Sequence, residues 1–169
     1  TRDEITESFP ELPLVLSGLP KEAVLDGEIV AWSPCGAGAP AREGRALPFS
    51  KLQQRLGRKK VSAKLMRDVP VAFMIFDVLY ADGELLLERP LRERAEILSG
   101  LLAASRTAAV RQPQPQSSLA FEEPDQCLLA TMLRAPSATA TSAGDLEALF
   151  AAARERGNEG LVIKDLDSP

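Results

Sequence analysis

Residues 71–80 read Val-Ala-Phe-Met-Ile-Phe-Asp-Val-Leu-Tyr, and Asp77 is the one charged residue in this apolar run. A short apolar run rich in β-branched and aromatic residues predicts a β-strand. Because its apolar side chains would point to both faces, we expect a central strand that is covered on both sides. Strict alternation along this strand would place Phe76 and Val78 on one face and Asp77 on the other.

A second strand is predicted over residues 24–32, which read Val-Leu-Asp-Gly-Glu-Ile-Val-Ala-Trp. After the central strand, residues 81–84 form a hairpin-type turn that leads into a short returning strand. The spacing of apolar residues predicts helices over residues 49–56, 90–104 and 145–156, and a further strand is expected within residues 127–133. Strands and helices mix without strict alternation, which favours an α+β fold with largely antiparallel sheets flanked by helices.

The composition is that of an ordinary globular protein, with 45% apolar and 26% charged residues among 169. The net charge of −4 offers no overall attraction to nucleic acid, so such a contact requires a local basic patch. The chain has no histidine, and Cys35 and Cys127 lack metal-site spacing, which suits a reducing compartment. No apolar run is long enough to span a membrane, so we expect a cytoplasmic protein without a membrane partner.

Residues 105–126 differ in kind from the rest of the chain. They include Gln-Pro-Gln-Pro-Gln-Ser-Ser at residues 112–118, a low-complexity segment typical of surface loops. We expect a flexible insertion at residues 105–126 within one domain that spans residues 1–169. Because the chain starts at Thr1 without a methionine, we also expect a piece of a longer protein, incomplete at both ends.

Asp26 and Glu28 lie two residues apart in the second predicted strand, with Gly27 between them. Residues two apart in a strand share a face, so the carboxylates project the same way, about 7 Å apart along the chain. Two such charges repel each other unless a cation or hydrogen-bond donors lie between them, which favours a metal ion or a ribose hydroxyl nearby. The alternative is an edge strand with a hydrated face. Gly27 leaves room for another backbone to approach.

Residues 156–165 read Arg-Gly-Asn-Glu-Gly-Leu-Val-Ile-Lys-Asp. Residues 161–163 predict a short buried strand, because they are apolar and largely β-branched. Glu159 precedes this strand and Lys164 follows it. A divalent metal ion would use the carboxylate and a phosphate would use the lysine. The alternative is a strand flanked by two solvated charges.

A run of cations follows the predicted helix start at residue 49. In a chain that is acidic overall, this local patch is the best candidate for contact with the phosphate backbone of a nucleic acid. The alternative is a solvated helix face followed by a loop. The residues expected to bind nucleic acid are Lys51, Arg55, Arg58, Lys59 and Lys60.

Three segments, taken in order, resemble motifs of the covalent nucleotidyltransferases, most closely those of ATP-dependent DNA ligases. They are Asp26-Gly27-Glu28, Phe76-Asp77-Val78-Leu79-Tyr80 and Glu159-Gly160-Leu161-Val162-Ile163-Lys164, which resemble the third, the "three-a" and the fourth motif. Phe-Ser-Lys-Leu-Gln-Gln-Arg-Leu at residues 49–56 and Pro-Leu-Arg-Glu-Arg at residues 90–94 strengthen the match. The resemblance covers nearly the whole chain outside residues 105–126. It implies an incomplete, ATP-grasp-like adenylation domain.

The resemblance implies a chemistry and a role for each site residue. The family adenylylates its own lysine with ATP, transfers AMP to the 5′-phosphate at a nick in double-stranded DNA, and seals the nick with the 3′-hydroxyl. By this resemblance, Glu28 and Glu159 would hold Mg²⁺ or the ribose, and Phe76 would stack on adenine. Lys164 would bind the α-phosphate and stabilise the charge that develops there. A monomeric enzyme of DNA replication, repair or recombination is implied.

One motif of that family does not occur in this sequence. The nucleophilic lysine of these enzymes lies in Lys-x-Asp-Gly, and no such string is found among the 169 residues. We therefore expect these residues alone to be unable to form the lysyl-AMP intermediate. The alternatives are an RNA ligase, a GTP-using mRNA-capping guanylyltransferase, and a non-catalytic remnant that only binds nucleotide or nucleic acid.

Overall fold

The computed structural model describes residues 3–33, 44–111, 131–155, 158 and 160–169. Within these residues the strands are β1 (Ala23–Ser33), β2 (Arg45–Ala46), β3 (Val71–Ala81), β4 (Glu84–Leu85) and β5 (Thr131–Arg134). The helices are α1 (Glu11–Leu16), α2 (Phe49–Leu52), α3 (Ala63–Asp68), α4 (Leu91–Arg111) and α5 (Ala143–Glu155). Cys35, Cys127 and residues 112–126 of the expected insertion lie outside the described residues.

Strand β3 is the centre of a mixed sheet. It pairs antiparallel with β1 along its length, antiparallel with β4 at its C-terminal end, and parallel with β5 near its start. Strand β2 adds to the far side of β1. The predicted central strand and largely antiparallel sheet are confirmed. Strand β5 is the parallel exception, and α4 lies in the long connection that parallel pairing requires.

The backbones of β1 and β3 approach closely at Gly27. A Cβ atom at this position would lie 2.4 Å from the Met74 carbonyl oxygen and 2.7 Å from the Phe73 ring. Both distances are far below van der Waals contact, so only glycine fits here without a shift of the neighbouring strand. The expectation that Gly27 admits another backbone is confirmed, and that backbone belongs to β3.

The pairing of β1 with β3 shifts register beside Gly27. Asp26 lies opposite Asp77, whereas Gly27 lies opposite Ile75, so Phe76 is an extra residue on β3. An extra residue of this kind is a β-bulge, which interrupts strict alternation and redirects a side chain.

The bulge corrects one expectation about the central strand. Ile75 and Val78 are three residues apart, yet both are fully buried in the same core cluster. Phe76 is instead 43% exposed. The prediction that Phe76 and Val78 share a face is therefore wrong, because it assumed a regular strand.

Two groups of buried side chains form the core, and the partly buried Phe73 packs against both. The first joins α1, β1, α2 and the start of β3, and the second joins β3 to α4. The first contains Phe9, Leu12, Ala31, Leu52, Val69 and Val71. The second contains Ile75, Val78, Ala81, Leu86, Leu98, Leu101 and Leu102.

Helix α5 begins at a reciprocal pair of caps. The backbone N–H of Asp145 donates to Ser142 Oγ, and the Asp145 carboxylate accepts from the backbone N–H groups of Thr141 and Ser142. The hydrogen bonds from the backbone and hydroxyl of Thr141 lower the pKa of Asp145 below its usual value. The predicted helix over residues 145–156 is thus confirmed with an earlier start.

Two other predicted helices differ in length from the expectation. Helix α2 ends at Leu52, and the turns that follow reach Gly57, whose φ of 71° lies in the left-handed region that stops a helix. Helix α4 continues to Arg111, beyond its expected end at residue 104. Residues 105–111 of the expected insertion are therefore helical.

The predicted buried strand at residues 161–163 is not formed. Val162 is 83% exposed and Ile163 is 70% exposed. A strand requires a neighbour for its backbone hydrogen bonds, and no segment among the described residues pairs with residues 161–163. Apolar composition alone did not determine the structure of this segment.

Replacing Gly27 by alanine should destabilise the protein by about 1–3 kcal/mol, because the added methyl group forces β1 and β3 apart. The free energy of unfolding, measured in urea, tests this expectation. Gly100→Ala is the matched control, since no described atom outside the backbone of α4 itself lies within 4 Å of a Cβ at that position. There the helix propensity of alanine should raise stability by up to about 1 kcal/mol. Equal effects of the two substitutions would contradict the close approach at Gly27.

Candidate functional site

The acidic side of the candidate site lies on β1. Asp26 and Glu28 are both exposed, and the intervening Gly27 is partly buried, as expected for carboxylates that share one face of a strand. Neither carboxylate forms a hydrogen bond or ion pair with another described residue. Both are therefore available to a ligand.

The aromatic residue of the site lies on β3 beside these carboxylates. Phe76 is the bulged residue, between the Asp26–Asp77 pair and the Gly27–Ile75 pair of the β1–β3 ladder. Its 43% exposure is high for a phenylalanine in a central strand. Because an exposed ring offers its π-face to a ligand, the bulge makes Phe76 suitable for stacking on a base.

Asp77 is buried and paired with Arg94 from the first turn of α4. Arg94 Nε donates to Asp77 Oδ1 at 3.0 Å, and Arg94 Nη2 donates to Asp77 Oδ2 at 3.1 Å. Both side chains are less than 10% exposed. The backbone N–H of Val78 adds a third hydrogen bond to Oδ1 at 2.9 Å. Two-point pairing with a guanidinium satisfies this buried carboxylate.

Lys164 approaches Asp77 from the C-terminal segment. Its Nζ lies 3.8 Å from Asp77 Oδ2, and its side chain is 39% exposed. The segment is held on the first turn of α4, where the N–H of Arg92 donates to the Leu166 carbonyl at 3.1 Å. The N–H of Leu91 donates to the Ser168 carbonyl at 2.9 Å. Free N–H groups at a helix start require such acceptors.

The β1–β3 pairing thus places the backbone of Glu28 near that of Phe76, and Lys164 Nζ lies near Asp77, the residue after Phe76. Glu159 lies outside the described residues, so its predicted role stays a prediction. Arg94 was missed as a site residue. Its signal was a buried-strand aspartate that needed a cationic partner, together with an arginine in the first turn of the next helix.

Mg²⁺ fits the chemistry of the exposed carboxylates on β1. The ion prefers oxygen ligands and commonly takes one or two carboxylates together with phosphate oxygens and water. Among the described residues there is no group of three or more acidic, cysteine or histidine side chains that could enclose a metal ion. Asp26 and Glu28 would therefore supply part of a coordination shell, and the bound ion would neutralise phosphate charge.

The chain's described residues form a cavity of about 630 Å³, lined by the α1–β1 connection and by Leu25 and Phe73. None of the predicted site residues lines it.

Arg55, predicted to contact nucleic acid, is instead a buried structural residue. Its side chain is 0% exposed and forms an ion pair with Glu11. It also donates to the carbonyl oxygens of Ser8 and Val69, and its guanidinium lies 5.0 Å from the centre of the Phe9 ring. The prediction for Arg55 is wrong, because a position in a cationic run does not reveal a buried acidic partner.

The other predicted nucleic-acid residues remain on the surface. Arg55 connects their segment to α1 through Glu11 and to the end of α3 through Val69, and Ser8 Oγ donates to the Arg58 carbonyl at 3.1 Å. These contacts fix the backbone of the segment, and the side chains of its remaining cations are exposed, although Arg58 Nε also donates to the Gln54 carbonyl. The exposed members are Lys51, Arg58, Lys59 and Lys60.

Arg55→Ala should destabilise the protein by about 3 kcal/mol or more, because it leaves the mostly buried Glu11 carboxylate without its partner. Lys51→Ala, an exposed cation of the same segment, is the control and should change stability by less than about 0.5 kcal/mol. Thermal and urea unfolding measure both. If Arg55→Ala leaves stability unchanged and weakens DNA binding, Arg55 contacts DNA and is not a structural residue.

The fold and the order of the motifs in the sequence are those of a nucleotidyltransferase domain, and comparison with known proteins identifies the family. A family model described as "ATP dependent DNA ligase domain" matches residues 1–169, and the chain belongs to that family. It is 50% identical to a probable DNA ligase of Koribacter versatilis, over 99% of this chain and 27% of that protein. It is 41% identical to a probable DNA ligase of Opitutus terrae, over 95% of this chain and 15% of that protein.

Solved structures show the same fold. The ligase domain of M. tuberculosis LigD matches with a TM-score of 0.60 and 24% identity, covering 98% of this chain and 40% of that one. A mycobacterial DNA ligase D complexed with ATP and MES matches with a TM-score of 0.57. The predicted α+β adenylation-domain fold is confirmed. The chain spans about a quarter or less of the curated relatives quoted above. No described helix has the length and apolar character needed to cross a membrane.

Proposed function

We propose that residues 1–169 form the central part of the adenylation domain of an ATP-dependent DNA ligase. In this proposal Phe76 stacks on adenine, Glu28 and Glu159 hold Mg²⁺ or the ribose, and Lys164 binds the α-phosphate. The substrates are ATP and nicked double-stranded DNA, and the whole protein acts as a cytoplasmic monomer.

The observation that carries the proposal is the meeting of distant motifs. The β1–β3 register sets the motif that contains Glu28 beside Phe76. Lys164 lies 3.8 Å from Asp77, the residue that follows Phe76 in the chain. The exposed ring suits adenine, the free carboxylates suit a magnesium ion, and the exposed ammonium suits a phosphate. Family membership supports ATP as the nucleotide. The neighbouring ligase D structure, which contains ATP, supports the same choice.

These residues would contribute binding and charge stabilisation to the first chemical step. In that step a lysine nitrogen bonds to the α-phosphorus of ATP, and the bond from this phosphorus to the leaving pyrophosphate breaks. Negative charge grows on the α-phosphate oxygens and on the pyrophosphate. A cation already in place stabilises this charge without reorganisation. Lys164 supplies that cation. Phe76 holds the adenine of the same ATP and so orients its α-phosphate toward Lys164.

The attacking lysine comes from outside these 169 residues in our proposal, because they contain no Lys-x-Asp-Gly string. The isolated chain should therefore gain no mass with Mg-ATP. A longer protein that includes the lysine motif should gain one AMP with Mg-ATP and nothing with Mg-GTP, as measured by intact-protein mass spectrometry. Glu159→Ala in the longer protein should abolish the gain.

Each other outcome of that measurement selects an alternative. A GMP-sized gain would indicate a capping guanylyltransferase. An AMP-sized gain followed by sealing of nicked RNA, but not of nicked DNA, would indicate an RNA ligase. No gain with either nucleotide in a folded protein would indicate a non-catalytic remnant.

The exposed cations should contribute to DNA affinity by neutralising backbone phosphates. Replacing Lys59 and Lys60 by alanine should reduce the slope of log Kd against log salt concentration by about 1 for each phosphate that the protein then leaves unneutralised. Fluorescence anisotropy with a nicked duplex measures this slope. Lys21→Ala is the control, since this exposed lysine pairs with Asp82 away from the basic segment. An unchanged slope for the Lys59 and Lys60 variants would remove this segment from the DNA interface.

A further inference from the structure

We propose that Asp77 is a positioning residue that holds the Lys164 ammonium at the phosphate end of the nucleotide site, and that Arg94 fixes Asp77 for this task. The inference rests on the proposed function, which assigns a nucleotide phosphate to Lys164. Its basis is a buried carboxylate with a cation on each side. Asp77 Oδ2 lies 3.1 Å from Arg94 Nη2 and 3.8 Å from Lys164 Nζ.

Asp77 is rigidly held. Its Oδ1 accepts from the Val78 backbone and from Arg94 Nε, and its Oδ2 accepts from Arg94 Nη2. Its side chain is 5% exposed. A buried carboxylate with three donors on two oxygens cannot rotate without breaking them, so its negative charge has a fixed place. If the Asp77 carboxylate served only to neutralise Arg94, it would not need to lie near a second cation, Lys164.

Lys164 is attracted to Asp77 but is not bound to it by a hydrogen bond. The Nζ–Oδ2 distance of 3.8 Å exceeds hydrogen-bond length. No hydrogen bond from the Lys164 ammonium to another described residue is present either. Its N–H donors therefore remain available to phosphate oxygens, while the carboxylate keeps the ammonium near one position. Asp77 thus sets the position of the Lys164 ammonium, and the phosphate oxygens accept its hydrogen bonds.

The first turn of α4 ties these parts together. It provides Arg94, and its N–H groups at Leu91 and Arg92 hold the carbonyls of Ser168 and Leu166. Arg92 also forms an exposed ion pair with Asp167. The main chain beyond Lys164 is thus fixed on the same turn that fixes Asp77. The start of α4 therefore fixes the position of the main chain that carries Lys164. Through Arg94 it also fixes the Asp77 carboxylate, toward which the Lys164 side chain extends.

A double-mutant cycle in the full-length protein tests this role. Asp77→Asn keeps the acceptor for the Val78 N–H but removes the charge beside Lys164. The rate of AMP transfer onto the protein, measured in a single turnover at saturating ATP, should fall about tenfold or more, as when a group that orients a functional side chain is lost. In a Lys164→Ala background, Asp77→Asn should cause almost no further decrease. Glu84→Gln, which removes an exposed carboxylate paired with Arg89, is the control and should leave the rate unchanged.

A second variant guards against misfolding. If Asp77→Asn leaves Arg94 buried without a counter-charge and fails to fold, Asp77→Asn/Arg94→Met removes both charges together. The slow rate should persist in this folded, neutral variant. Equal decreases in the two Lys164 backgrounds, or a wild-type rate in the neutral variant, would overturn the positioning role. Absence of lysyl-AMP in the wild-type full-length protein, which includes the lysine motif, would overturn the proposed function and this inference with it.

Discussion

The antiparallel pairing of β1 with β3 is the constraint on which the rest of the structure depends. At Gly27 the two backbones approach so closely that any side chain would collide with Met74 and Phe73. Beside this point β3 carries the extra residue Phe76. The bulge exposes an aromatic ring in a strand that is otherwise mostly buried, and it does so next to the free carboxylates of β1. Close packing and ligand access are thus produced by one short stretch of the sheet.

Two buried arginines show how the same residue type serves different purposes. Arg55 joins α1, the basic segment and the end of α3, and all of its described partners belong to the scaffold. Arg94 pairs with an aspartate that faces a second cation, Lys164. A guanidinium forms several hydrogen bonds in a fixed plane, so it suits both tasks. Only the second arrangement leaves an ammonium free for a ligand.

Much of the fold was predictable from the sequence, because the decisive elements have strong local patterns. Strands β1 and β3, the turn before β4 and the helices α4 and α5 all follow from apolar spacing and turn residues. The bulge at Phe76 was not predictable, since register depends on the partner strand. The segment 161–163 has the composition of a strand, but no described neighbour supplies its hydrogen bonds. Motif order predicts that Glu28, Phe76 and Lys164 share one site, and this stays a prediction, whereas the burial of Arg55 depended on contacts with α1.

The short sequence distance between Asp77 and Arg94 has a consequence for the order of folding. These residues are 17 positions apart, within the continuous unit β3–β4–α4. Closing such a loop costs less entropy than bringing β1 onto β3 from far along the chain. Local contacts of this kind tend to form first. The Asp77 carboxylate can therefore gain its counter-charge from Arg94 within this continuous unit, without the pairing of β1 with β3.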